Sequence, residues 1–157
     1  MNLQLAIAAL ALPGLMAPAS AQRSSPVAAS ASVPRDAAAA VDAFHAALGR
    51  GATAAAAELL DPNVLIYESG RAERSKAEYA AHHLPADALF AKAVRRSVTR
   101  RSGRGDGNIA WITTEATAKG QYRDKDIDSV GMETMVLKRT GRAWRIVHIH
   151  WSSANVK

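Results

Sequence analysis

The chain contains no cysteine among its 157 residues. A disulfide framework, catalysis by a thiolate and a lipid-modified cysteine anchor are therefore excluded. Aromatic residues are scarce, at 5% of the chain, and the arginine-rich segment lacks the interleaved aromatic residues on which single-stranded nucleic acids stack. Acidic residues are outnumbered by basic ones, 14 against 20, which leaves a net charge of +6. A domain of this composition depends on a packed core for its stability.

Long apolar segments are also missing, apart from one near the start of the chain. Residues 3–16 are apolar, but Pro13 and Gly14 interrupt them and the run is too short for a transmembrane helix. Ala19-Ser20-Ala21 before Gln22 fits the cleavage rule of a secretory signal. We therefore predict a signal peptide over 1–21, with a retained membrane anchor as the alternative.

The rest of the chain divides into a linker, a folded domain and a tail. Residues 22–35 consist mainly of Ser, Ala, Pro and Val and predict a disordered linker. The folded domain is expected over 36–153, followed by a short tail over 154–157. We expect a periplasmic or secreted protein with no membrane insertion after cleavage.

In a protein that stays in the cytosol, a net positive charge would suggest a nucleic-acid partner, but an exported protein does not encounter nucleic acid. We expect no nucleic-acid partner, and interpret the arginines as a solvated basic face or, alternatively, as contacts to an anionic ligand. Strict strand alternation would place Arg95 and Arg101 on one face and Arg96 and Arg100 on the other. Together with Arg104 they would form no one-sided basic stripe.

The periodicity of apolar residues predicts helices first and strands afterwards, which is typical of an α+β domain. Ser75 and Glu78 have the spacing of a helix-capping box, and residues 86–91 are ambiguous. The predicted helices are 36–48, 52–60 and 75–83, and the predicted strands are 64–68, 94–101, 109–122, 130–138 and 144–153, with a glycine-rich turn over 103–107.

The last predicted strand carries the most informative chemical pattern. Alternation places His148 and His150 on one face and Val147, Ile149 and Trp151 on the other. Both faces are largely apolar, so the pattern does not decide which of them lines a pocket.

The order of elements, the entry Asp61-Pro62-Asn63-Val64 into the first strand and the final run Gly-Arg-Ala-Trp-Arg-Ile-Val-His-Ile-His-Trp-Ser resemble the nuclear transport factor 2-like superfamily. Within it, the chain resembles the SnoaL-like and ketosteroid isomerase-like bacterial proteins over residues 36–153. The resemblance implies a cystatin-like cone, in which about three N-terminal helices pack on a curved, mostly antiparallel sheet. It also implies a pocket inside the cone and a homodimer formed through the sheet.

The resemblance places site residues one at a time. Glu68 falls where ketosteroid isomerases carry a catalytic carboxylate, Phe44 where they carry an oxyanion tyrosine, and Thr134 near their second oxyanion donor. Phenylalanine donates no hydrogen bond to an oxyanion, so genuine ketosteroid isomerase activity is not expected. We predict Glu68 as a general base, with a solvent-facing glutamate beside Arg71 as the alternative.

The two histidines of the last strand are candidate polar partners of that base. Their side chains would lie about 6.5–7 Å apart on one face, which also allows a shared metal ion. The catalytic prediction is thus Glu68, His148 and His150, and the metal alternative joins the histidine pair to His82. Predicted ligand-binding residues are Tyr67, His83, Trp111, Thr134 and Trp151, although tryptophans more often pack in a core or an interface.

Three functional hypotheses follow. The first is an exported domain that binds a small apolar or aromatic molecule in an apolar pocket without chemistry. The second is an isomerase or lyase of the SnoaL-like or ketosteroid isomerase-like kind. The third is a histidine-based metal site, since no cofactor is predicted but a divalent metal is left open.

Overall fold

The computed structural model describes residues 33–156, so the predicted signal peptide and most of the predicted linker lie outside the described residues. Within this range the order is two helices, two strands, two helices and four strands. The helices are α1 (Arg35–Gly49), α2 (Thr53–Glu58), α3 (Lys76–His82) and α4 (Leu84–Ala93), and the strands are β1 (Leu60–Glu68), β2 (Arg71–Glu73), β3 (Val94–Asp106), β4 (Ile109–Tyr122), β5 (Lys125–Thr140) and β6 (Ala143–Asn155).

The first helix begins one residue before the predicted domain boundary. Pro34 precedes it and Asp36 lies in its first turn, where a negative charge interacts favourably with the helix dipole. Val41, Phe44 and Leu48 follow at helical spacing and are buried, and Val33 packs against the same core. The last residues of the predicted linker are therefore part of the folded domain.

The capping box predicted for α3 is present in the structure. The Oγ of Ser75 accepts a hydrogen bond from the Glu78 backbone N–H at 3.0 Å. The Glu78 carboxylate reaches back and accepts a bond from the Arg74 backbone N–H at 2.7 Å. The ambiguous segment after it is helical: Pro85 occupies the first turn of α4, a position that needs no N–H donor.

The six strands form one sheet in the order β2-β1-β6-β5-β4-β3. Neighbouring strands are antiparallel except for β1 and β6, which run parallel. The helices cover one face of the sheet, here called the inner face, on which Ile112, Met135 and Ile149 are fully buried neighbours. The opposite face is called the outer face. The predicted α+β architecture, a curved mostly antiparallel sheet behind N-terminal helices, is confirmed.

The predicted glycine-rich turn is wrong in its position. Strand β3 continues through Gly103 and Gly105, and the turn lies at Gly107, whose φ is +56°. A Cβ atom at Gly103 would approach the Trp111 carbonyl oxygen to 2.6 Å. The two glycines therefore permit close packing inside the strand instead of ending it.

Two β-bulges in the antiparallel part of the sheet shift the alternation of side chains. One lies between Val98 and Arg100 in β3, and the other leaves Val147 of β6 without a partner opposite β5. Because a bulge adds one residue to one strand, the residues beyond it change faces. Ile146 and Ile149 therefore both point to the inner face, where each is fully buried.

The bulge in β3 also corrects the predicted arrangement of the arginines. Arg96 pairs with Ala118 and Arg101 with Thr114, both on the inner side of β4, whereas Arg95 and Arg100 pair with outer-face residues. Arg96 and Arg101 thus share the inner face, and neither belongs to a solvated basic surface.

No helix within residues 33–156 has the length and apolar character needed to cross a membrane.

Candidate active site

A cavity of about 740 Å³ lies between α1, α4 and the inner face of the sheet. The hydrophobic core fills the other half of this face, where large apolar side chains meet the helices. The cavity begins where the inward-facing residues of the sheet become small. These small residues are Ala116, Ala118, Ser129, Gly131 and Ser153. Their size leaves space that the helices do not fill, so the sheet sequence itself creates the cavity.

One row of polar residues crosses the sheet at the border between core and cavity. Strand register brings them side by side across five strands: Arg101, Thr114, Glu133, Trp151 and Glu68. Three of them, Glu68, Glu133 and Trp151, line the cavity. The row is the polar floor of an otherwise mostly apolar site.

Glu133 is the centre of this floor and is only 5% exposed. It lies 2.6 Å from Nε2 of His45 and accepts hydrogen bonds from Nε1 of Trp151 at 2.8 Å and from Arg96 at 3.3 Å. Burial alone raises the pKa of Glu133, but the hydrogen bond and charge of His45, together with Trp151 and Arg96, lower it below its ordinary value. The carboxylate is therefore held ionised and fully partnered.

Aromatic packing fixes the orientation of the groups around Glu133. The ring of Phe44 stacks on Trp151 with 6.3 Å between centroids and meets His45 edge-on at 5.7 Å. Phe44 is completely buried, so it supports the two hydrogen-bonding rings from the core side. At the position where the family resemblance places a tyrosine, this chain carries a packing residue.

Glu68 lies at the rim of the same cavity, beside Trp151 in the sheet register. Glu68 is exposed to solvent on one side, but desolvation of its carboxyl at the cavity rim raises its pKa above the ordinary value, the negative charge of Asp87 raises it further, and His83 partly offsets the effect. Asp87 lines the cavity from α4 and accepts a 2.7 Å hydrogen bond from the buried Tyr79 hydroxyl. No side-chain hydrogen bond to Glu68 occurs among the described residues, which leaves this carboxylate open to a ligand.

Burial also raises the pKa of Asp87, although the Tyr79 hydrogen bond acts in the opposite direction. Two carboxyl groups at one end of the cavity thus both prefer the protonated form more than an ordinary carboxyl does. A carboxylate whose pKa is raised in this way is a stronger base than an ordinary carboxylate.

The predicted histidines of β6 do not contact this cavity. His148 and His150 lie on the outer face, where Nδ1 of His148 is 2.8 Å from the Leu65 carbonyl oxygen and the Tyr67 ring packs edge-on against both imidazoles. Trp111 and Thr134 share that face. Of the predicted site residues, the structure therefore brings together only Glu68 and Trp151 in the described cavity. The prediction that His148 and His150 line the pocket with Glu68 is therefore wrong for this cavity, because they lie on the opposite face of the sheet.

The other two predicted histidines lie beside a buried carboxylate outside the cavity. Nδ1 of His83 is hydrogen-bonded to Glu73, and His82 lies 3.4 Å from the second oxygen of that carboxylate. Ligand atoms of Glu73, Glu78 and His82 lie within 4.8 Å of one another, a group that could hold a metal ion. The metal alternative therefore loses the β6 histidines and keeps His82, with partners that the sequence did not indicate.

Four residues of the site were missed by sequence reasoning: His45, Asp87, Arg96 and Glu133. Glu133 has the same parity along β5 as Met135 and Leu137, a signal that could have placed it inside instead of Thr134. Asp87 lay in the segment whose structure was ambiguous. Arg96 shares the face of Val94 by simple alternation, and His45 lies within the predicted helix 36–48, where no spacing marked it as a partner of the sheet.

Comparison with known families and structures gives consistent results. A family model described as "SnoaL-like domain" matches residues 37–156. The structure is similar to a "putative ketosteroid isomerase" from Shewanella frigidimarina, with a TM-score of 0.72 and 42% identity over 74% of this chain and 94% of that one. No match is found among curated proteins.

More distant structures share the fold. A "putative scytalone dehydratase" from Novosphingobium aromaticivorans has a TM-score of 0.65 at 11% identity, covering 78% of this chain and 87% of that chain. The CaMKII hub of S. rosetta has a TM-score of 0.64 at 20% identity, covering 76% of this chain and 95% of that chain. These identities show a common fold and nothing about a common reaction.

Proposed function

Because the chain belongs to the SnoaL-like domain family, we propose that it is an exported protein that binds a small, mostly apolar molecule in the cavity and transfers a proton on it. Glu68 acts as the general base. The observation that carries the proposal is the position of this carboxylate: it lines the cavity, lacks a hydrogen-bond partner among the described residues and has a raised pKa.

The chemistry that suits this arrangement is isomerisation or elimination. Glu68 removes a proton from a carbon next to a carbonyl, and the electron pair of the C–H bond moves toward the carbonyl oxygen. The proton then returns at a different carbon, or, in an elimination, the electron pair forms a carbon–carbon double bond while a leaving group on the next carbon departs with the electrons of its own bond and takes up a proton. General-base catalysis of this kind contributes about 10²–10⁴-fold to a rate.

His45 is the proposed polar partner in place of the β6 histidines. Its Nε2 is held by Glu133, and its Nδ1 has no hydrogen bond to another described residue. It lines the cavity together with Glu68. A developing oxyanion requires a preorganised donor, and the contact with Glu133 fixes the orientation of His45. Because the Nε2 proton is donated to Glu133, Nδ1 donates to the oxyanion only when the imidazole carries both protons.

The experiment measures proton abstraction without requiring the natural product. A panel of mono- and polycyclic ketones is incubated with the protein in D₂O, and exchange of the α-hydrogens is followed by ¹H NMR. Glu68→Gln should lower the exchange rate about 100-fold or more. Glu58→Gln, which changes an exposed α2 carboxylate outside the cavity, should leave the rate unchanged.

Binding without chemistry is the second candidate. It is favoured by Glu133, whose carboxylate is already satisfied by three side-chain groups and needs no ligand. In that case copurified molecules would be found by native mass spectrometry, whereas no ketone in the panel would exchange faster than in buffer. That combination would remove Glu68 from the role of base and retain the cavity as a binding site.

We also propose that two copies associate through the outer face. Large apolar side chains are exposed there, including Tyr67 at 42%, Trp111 at 42% and Met132 at 50%. Several structural neighbours are hub or association domains, which fits an assembling fold. An exposed apolar sheet face of this kind is typical of a surface that another chain covers.

A further inference from the structure

Four ionisable side chains outside the cavity gather where β2 meets the end of α3. Glu73 belongs to β2, Glu78 and His82 belong to α3, and His83 follows that helix. Ligand atoms of the first three lie within 4.8 Å of one another. An imidazole together with two carboxylates is a mixed nitrogen and oxygen set, which zinc and other transition metals prefer. The group therefore has the chemistry of a metal site and is more than an acidic surface patch.

The spacing of the two helical residues presents both on one side of α3. Residues four apart in an α-helix lie one turn above each other on the same face, and Glu78 and His82 have this spacing. The capping box fixes the first of them, because one Glu78 oxygen accepts the Arg74 backbone N–H at 2.7 Å. Its other carboxylate oxygen has no hydrogen-bond partner among the described residues and is open to a metal ion.

Glu73 supplies the buried member of the group. Its side chain is only 8% exposed, and a buried carboxylate is unfavourable unless its charge is compensated. One of its oxygens is hydrogen-bonded to Nδ1 of His83, which holds the carboxylate in a fixed orientation. Hydrogen bonds of this kind to a metal ligand typically strengthen metal binding.

The second oxygen of Glu73 has the spacing of a metal ligand. It lies 3.4 Å from Nδ1 of His82, which is long for an N–H···O hydrogen bond. Two ligand atoms of a tetrahedral zinc ion, each about 2.0 Å from the metal, are about 3.3 Å apart. The His82 side chain is 59% exposed, so an ion can enter from solvent. Water can then occupy the fourth position, as in zinc sites with three protein ligands.

We propose that Glu73, Glu78 and His82 bind one Zn²⁺ ion and that His83 orients Glu73 for this purpose. The ion connects α3 to β2, a strand of three residues at the edge of the sheet whose only partner there is β1. Its role is to stabilise this edge of the domain. The inference does not depend on the proposed proton transfer, because none of the four residues lines the cavity.

The first test measures zinc binding by the purified, tag-free protein. Isothermal titration calorimetry with ZnCl₂ should show one ion per chain, with a Kd on the order of 1 μM, weaker than structural sites with four protein ligands. Zinc at 100 times the Kd should raise the Tm by about 5–10 °C. Absence of binding would overturn the inference.

Three variants locate the ion. His82→Ala removes a ligand and should weaken zinc binding about 100-fold or more, whereas His83→Ala, which removes only a partner of Glu73, should weaken it about 10-fold. Glu78→Gln should also weaken binding about 10-fold or more. Glutamine can replace glutamate in a capping box, so this variant retains the start of α3. Circular dichroism and the Tm without zinc verify that each variant is folded.

The control removes an imidazole elsewhere. His150 is exposed on the outer face of the sheet, and His150→Ala should leave both the zinc affinity and the zinc-dependent Tm unchanged. If His150→Ala abolished binding while His82→Ala did not, the ion would lie on β6 and the inference would be wrong. Parent affinity in both His82→Ala and Glu78→Gln would likewise overturn it.

Discussion

Trp151 donates a 2.8 Å hydrogen bond from its indole nitrogen to Glu133 across two neighbouring strands. Both residues line the cavity, and Glu133 is only 5% exposed. Glu133 therefore has two roles: it bonds to a neighbouring strand through Trp151, and it orients His45 at the cavity.

Glu133→Ala tests how much this buried carboxylate stabilises the domain. The variant leaves His45, Arg96 and Trp151 without their partner, and removal of one member of a buried ionic network typically destabilises a protein by about 3 kcal/mol. Urea denaturation at neutral pH measures the change. Glu115→Ala, which removes an exposed carboxylate 3.8 Å from Arg100, should change stability by less than about 1 kcal/mol.

The effect of Glu133 also depends on pH. Because its folded pKa lies below the ordinary value of 4.5, its stabilisation is fully present above pH 4.5 and is lost as the pH falls through the folded pKa. The difference between Glu133→Ala and the parent protein should therefore shrink only in acid. A difference that already shrinks between pH 7 and 6 would contradict the assignment.

Glu68→Gln should stabilise the protein at neutral pH, whereas Glu133→Ala should destabilise it. The folded pKa of Glu68 is raised above 4.5, so its ionisation opposes folding at pH values above the unfolded value, and this penalty disappears as the pH falls below it. We expect the variant to be more stable at pH 7 by on the order of 0.5 kcal/mol, a value reduced by solvent screening, and equal to the parent at pH 3. Thermal melting at both pH values measures this, and destabilisation at pH 7 would be evidence against a functional carboxylate.

Gly103→Ala tests the close packing inside β3. The new Cβ would meet the Trp111 carbonyl oxygen at 2.6 Å and Ile112 at 2.8 Å, and overpacking of this kind costs about 1–3 kcal/mol. Gly131→Ala is the matched control, since the nearest atom to its Cβ would be 3.7 Å away. Equal stabilities of the two variants in urea would show that β3 adjusts without strain.

Trp111→Glu tests association through the outer face. A charge in the centre of an apolar interface is strongly unfavourable, so we expect the variant to be monomeric by light scattering when the parent is a dimer. Leu89→Glu changes an exposed residue of α4 that is 60% accessible and should leave the assembly intact. If only Leu89→Glu dissociated the dimer, the interface would lie on the helices and not on the outer face of the sheet.

Export is tested by the mass of the mature protein. Expression of the full chain in a bacterial host should yield a periplasmic species that begins at Gln22, as the cleavage pattern before it predicts. Replacing Ala21 with a bulky residue should block this cleavage. A full-length protein in the cytoplasm would refute the prediction.

Local patterns determined much of this protein. The periodicity of α1, the capping box at Ser75 and the alternation along β4 and β5 identify the elements without reference to tertiary contacts. The family resemblance placed Glu68 at the end of the first strand, and the structure has it there, facing the cavity. These features depend on residues close in sequence, where spacing and side-chain type carry the information.

The tertiary structure alone decided which polar residues meet. The bulge at Val147 reverses the faces of β6 between Ile146 and His148, and no local signal marks the position of an extra residue in a strand pair. The network around Glu133 joins α1, β3, β5 and β6, across as many as 88 residues of sequence between His45 and Glu133. Amphipathic patterns determine that a face is buried, but the register between strands, a cooperative property of the whole sheet, determines which side chains share it.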